Sequence, residues 1–72
     1  MEPKEIFELI VKADEKLKYA TADKAGTRVA QARELLERAR DEARAIGNEA
    51  LVGQAEQRLS DLDADGLAPP TS

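Results

Sequence analysis

Val29-Ala-Gln-Ala32-Arg-Glu-Leu-Leu36-Glu-Arg-Ala39-Arg-Asp-Glu-Ala43-Arg-Ala-Ile46 is the stretch that decides the fold. Val29, Ala32, Leu36, Ala39, Ala43 and Ile46 recur at alternating spacings of three and four. At about 100° per residue they fall in one stripe of a helix. Arg33, Glu37, Arg40, Asp41 and Arg44 turn away from it. Half the members of the stripe are alanines, so the spacing predicts a packing seam that a neighbouring helix approaches closely.

Apolar residues at helical spacing occur on both sides of this segment. Upstream, Ile6, Ile10, Ala13, Leu17 and Ala20 form a main stripe, and Pro3 suits a first helical turn, where its missing N–H is no loss. Phe7 and Val11 form a second apolar strip, rotated by roughly 100° from the first. This pair is either an exposed anchor for association or core beneath a third helix. The wider apolar arc at the start of this helix predicts two neighbours there and one at its end. Downstream, Leu51, Val52, Ala55, Leu59 and Leu62 share a face, with Gln54, Glu56, Gln57 and Asp61 turned largely outward. Gly47 suits the left-handed residue after a helix and Asn48 the cap of the next, so the second and third helices are antiparallel neighbours. Asp23 and Thr27 are both plausible caps for the second helix, and Gly26 weakens any helix that contains it.

The sequence therefore predicts an all-α, three-helix antiparallel bundle over residues 1–65, with helices at about 3–20, 24–46 and 48–63. Residues 66–72, with Pro69 and Pro70, are read as a disordered tail.

Ala32, Leu36 and Ala39, preceded by Val29, follow the small–large–small order of a second repeat helix. The run Leu36-Glu-Arg-Ala-Arg-Asp-Glu-Ala-Arg-Ala-Ile-Gly-Asn-Glu-Ala-Leu51 follows the longer-helix form that ends in Ile-Gly-Asn. On these residues about half the chain resembles the tetratricopeptide-repeat family of helical hairpins. A three-helix module of the microtubule-interacting and trafficking type would look much the same. The resemblance implies a TPR-like hairpin plus one helix, with protein contact as its work. The first-helix signature of an aromatic followed by Leu-Gly and Tyr is absent here, as is the closing proline. A repeat unit cannot bury both faces alone, so either the first helix or a second chain closes the open side.

Composition narrows the function further. The 72 residues hold no Cys and no His, which removes disulfides, thiolate zinc sites and the commonest proton-transfer side chain. A net charge of −4 argues against sequence-independent nucleic-acid binding, which needs excess cations. No run approaches the roughly 18 apolar residues of a membrane span, and Met1-Glu2-Pro3-Lys4 has no signal-peptide character. A cytoplasmic protein is expected. Glu8/Lys12, Asp14/Lys18, Glu34/Arg38 and Arg38/Glu42 are spaced to support solvated helix faces by about 0.2–0.5 kcal/mol each.

No carboxylate sits alone in an apolar run and no hydroxyl has a base to activate it, so no enzyme and no cofactor are expected. Asp61-Leu-Asp63-Ala-Asp65-Gly66 reproduces half of a calcium-binding loop, but its twelfth position is Ser72 where a bidentate Glu is required. No metal site is assigned, and a calcium-responsive protein using those three aspartates stays as the alternative function class. A structural bundle with no ligand is a further one. The main expectation is a non-enzymatic interaction module that takes a protein or peptide partner, with a homodimer among the candidates. Phe7 and Val11 would anchor contact. Arg33, Arg40 and Arg44, within an arc of roughly 40°, would select an acidic partner. The competing reading has those arginines pairing with carboxylates of this chain.

Overall fold

The computed structural model describes residues 1–19 and 25–62. Three helices are present, α1 (Pro3–Lys18), α2 (Ala25–Ala45) and α3 (Glu49–Asp61), with no strand among the described residues. The fold is the expected all-α three-helix bundle. The predicted tail at 66–72 and the Asp23 cap lie outside the described residues. Thr27 is not a cap. It lies with Gly26 inside the first turn of α2, because the helix begins upstream of both.

Each helix end follows from its local sequence. Pro3 occupies the first turn of α1, and the Glu2 N–H donates to Glu5 Oε1 at 3.1 Å. That is the side-chain half of a capping box that satisfies the backbone donor just before the helix. The α2–α3 junction spans Gly47 and Asn48. Gly47 takes φ +71, a conformation that costs a side-chain-bearing residue about 1–2 kcal/mol. Its N–H donates to the Arg44 carbonyl at 3.0 Å, and the Asn48 N–H donates to the Ala43 carbonyl at 2.8 Å. These two bonds close α2 in a Schellman motif. Asn48 then starts the next helix, its side-chain oxygen accepting from the Leu51 N–H at 3.1 Å.

Antiparallel neighbours result. The Met1 nitrogen lies 3.7 Å from Glu42 Oε1, so α1 begins beside the end of α2. Asp14, late in α1, meets Arg58, late in α3, at 2.9 Å, so those two helices run parallel. α2 packs extensively on both neighbours, while α1 and α3 touch each other only sparingly.

A single apolar core joins all three. It comprises Ile6, Ile10 and Ala13 from α1; Val29, Ala32, Leu36, Ala39 and Ala43 from α2; and Leu51, Ala55, Leu59 and Leu62. Leu9, Leu17, Leu35 and Val52 are half-buried against it. No charged or polar residue is buried among the described residues. Five of the twelve core residues are alanines, which is what permits close helix contact in so small a chain.

Ile46 departs from the stripe that starts at Val29, remaining 42% exposed. α1 begins level with Glu42, so a residue one turn further along α2 has passed beyond its neighbour. The expectation of two neighbours for the start of α1 is also not met, since Phe7 and Val11 stay exposed.

Leu36 is fully buried at the centre of α2. Leu36→Ala should cost about 2–5 kcal/mol, against the roughly 3–5 kcal/mol a single core of this size supplies. Urea titration followed by circular dichroism should therefore show a chain largely unfolded in buffer. Gly47→Ala and Gly53→Ala should have opposite signs, although an added Cβ meets nothing within 4 Å at either position. The first forces a side chain into positive φ and should destabilise by about 1 kcal/mol. The second removes a mid-helix glycine and should stabilise by about 0.5–1 kcal/mol.

Candidate interaction surfaces

Phe7 and Val11 lie one turn apart on the outer side of α1, where they remain 47% and 39% exposed. Lys4, Glu8, Lys12 and Glu15 surround them, all from the same helix. Of the two readings of this pair, core beneath a third helix does not hold, because α3 leaves both side chains exposed. α3 packs instead mainly on α2 and touches α1 only at its edge. Arg58 Nε donates to both Asp14 carboxylate oxygens, at 2.9 and 3.1 Å, on the α1 side. On the α2 side Arg44 Nη2 donates to Glu56 Oε2 at 2.8 Å.

Arg33, Arg40 and Arg44 share the flank of α2 that faces α3. Arg44 is tied to that helix through Glu56, and Arg40 Nε donates to Asp41 Oδ1 at 3.1 Å. Arg33 is half-buried and also has a partner. For Arg44 the structure thus shows an acid of this chain where a partner's carboxylate was the alternative. Phe7 and Val11 are surrounded by residues of α1 alone, so they do not combine with the α2 arginines into one site.

No protein-family model matches this chain, and no curated protein or solved structure is significantly similar to it. The tetratricopeptide resemblance accordingly rests on Val29, Ala32, Leu36, Ala39 and the Ile46-Gly47-Asn48 junction alone.

Of the acidic half-loop, only Asp61 lies among the described residues. Its Oδ1 accepts from Gln57 Nε2 at 3.1 Å along α3, while Asp63 and Asp65 fall outside. No group of three or more potential ligands gathers among the described residues, and no helix there is long and apolar enough to cross a membrane.

A second surface was not read from the sequence. On the side of the α1–α2 pair away from α3, half-buried Leu35 lies in a shallow groove. Lys12, Glu15, Lys16, Tyr19 and Arg28 line one stretch of it. Lys16, Gln31, Glu34 and Arg38 line the next. Tyr19 is 61% exposed, and the Lys18 Nζ sits 5.7 Å from its ring centre, within cation–π range. None of the four same-helix pairs anticipated from spacing closes. Asp14 is taken by Arg58 and Glu42 faces the Met1 nitrogen, and Arg38 closes no ion pair with an acid among the described residues. The signal available beforehand was the spacing of Arg28, Gln31, Leu35 and Arg38, a three–four–three ridge. It was hidden because Leu35 and Leu36 are adjacent, and Leu36 carries the core stripe.

Exposure separates the two apolar strips of α1 energetically. Ile10→Ser should unfold the chain, since Ile10 is fully buried. Phe7→Ser should change thermal stability by less than about 1 kcal/mol, because surface substitutions rarely do more. Paired thermal melts of the two variants test the assignment.

Proposed function

We propose that this chain is a small non-enzymatic protein-interaction module that associates weakly with itself through the outer face of α1. The observation that carries the reading is the adjacent exposure of Phe7 and Val11 on an otherwise charged helix surface. Aromatic side chains are disproportionately strong contact anchors, and burying a half-exposed Phe is favourable. The surface is also complementary to itself. An antiparallel copy of α1, set about a two-fold axis level with residue 9, places Phe7 opposite Val11. Such a contact is isologous, each copy contributing the same patch.

The tetratricopeptide-like hairpin belongs to the same proposal. Its support is the tight α2–α3 turn at Gly47 and the complete burial of Ala32, Leu36 and Ala39. A module of this kind would work in the cytoplasm, in keeping with a chain free of Cys. The patch is small beside the roughly 1,200–2,000 Å² of a standard interface, so the association is weak and reversible.

Sedimentation equilibrium across about a hundredfold concentration range tests this directly. The weight-average mass should climb towards that of a dimer as the concentration approaches about 1 mM. Phe7→Glu should hold the protein at monomer mass with its helicity intact. A mass that does not vary with concentration, or a dimer indifferent to Phe7→Glu, would remove the α1 face as the contact.

A further inference from the structure

The unpaired cations of this protein are not spread evenly. Among the described residues, Arg40, Arg44 and Arg58 are committed to Asp41, Glu56 and Asp14. Lys4, Lys12, Lys16, Lys18, Arg28 and Arg38 make no ion pair there, and Lys12, Lys16, Arg28 and Arg38 line the groove around Leu35. Among the described residues Glu15 and Glu34 oppose them there, and neither is close enough to pair. A chain with a net charge of −4 therefore presents one groove with a local excess of positive charge.

From Arg28 to Arg38 the groove runs about 15 Å along α2, at 1.5 Å per residue. Lys12, Lys16 and Tyr19 form its α1 wall, and Arg28, Gln31, Leu35 and Arg38 its α2 wall. Its floor offers one aliphatic side chain, half-buried Leu35, and its end one exposed ring, Tyr19. An occupant that satisfies these groups carries carboxylates for the cations and an aliphatic side chain for Leu35. A bare polyanion satisfies the first requirement only.

We infer that the α1–α2 groove is a docking site for an acidic peptide segment, whose carboxylates pair with Lys16, Arg28 and Arg38 while an aliphatic side chain seats on Leu35. The surface is distinct from the Phe7–Val11 face and shares only Lys12 and Glu15 at its border. Arg forks suit carboxylates, and their separation along the wall matches a ligand of about two helical turns or more. Contacts of this type raise the association rate and weaken with salt, and the aliphatic anchor adds a salt-insensitive part.

The test titrates isotopically labelled protein with the acidic peptide Glu-Glu-Leu-Glu-Glu-Leu-Glu-Glu, following amide shifts. Shifts should cluster at Lys12, Lys16, Tyr19, Arg28, Leu35 and Arg38 and saturate below about 1 mM. The double variant Lys16→Glu, Arg38→Glu should weaken binding by at least about tenfold without changing the thermal melt, since neither side chain is paired in the fold. A peptide with both leucines replaced by alanine should also bind about tenfold more weakly. Phe7→Glu should leave binding unchanged, which separates this site from the self-association face. The inference is overturned if no shifts appear up to about 1 mM, or if they map to the Phe7 face. It is equally overturned if the leucine-free peptide or an oligothymidylate binds as well, since the groove would then attract any polyanion.

Discussion

The structure depends on the two-sided burial of α2. Its alanine-rich stripe is the only surface that meets both other helices extensively, and removing it would leave α1 and α3 with little to hold them together. Small side chains make this possible. Ala32, Ala39 and Ala43 are completely buried and let helix backbones approach closely, with Leu36 supplying the bulk between them. Density of contact replaces size of side chain, which suits a chain with no disulfide to restrict its unfolded state.

Electrostatics reinforce this arrangement at its edges. Arg58 with Asp14 closes the α1–α3 side, and Arg44 with Glu56 closes the α2–α3 side. Both pairs are partly exposed, so each contributes at most about 1 kcal/mol and acts more on register than on stability. Their larger effect is on what remains. With those cations on the α3 flanks, the opposite groove keeps positive charge that no carboxylate among the described residues pairs with. Among the described residues the core holds no polar group that could fix helix order, so these edge pairs and the short turn at Gly47 carry that information.

Much of the fold was legible in the sequence because its strongest signals are local. The stripe from Val29 to Ala43 and the Gly47-Asn48 junction are determined by spacing and backbone chemistry within one or two turns. Helix ends were less legible. Ile46 has the right phase for burial and is exposed because α1 stops short of it, a fact about a neighbour's length. Ion pairs were misread for a related reason. Spacing along one helix suggested Asp14 with Lys18, whereas packing delivers Asp14 to Arg58, forty-four residues away. The site residues show the same division. Phe7 and Val11 were visible as a strip outside the stripe, but whether α3 covered them depended on tertiary geometry. The cationic groove was not visible at all, since its members come from two helices and its apolar element sits next to a core leucine.

The sparse meeting of α1 and α3 has a consequence for how the chain opens and closes. Both principal interfaces are between helices adjacent in sequence, so contact order is low and folding is fast. The hairpin of α2 and α3 closes over three residues, Ile46, Gly47 and Asn48, at little entropic cost. Either outer helix can detach without dragging the other with it, so amide protection is graded, highest in α2 and lower at both flanks. When an outer helix lifts, it uncovers an alanine-lined trough shaped for that same helix.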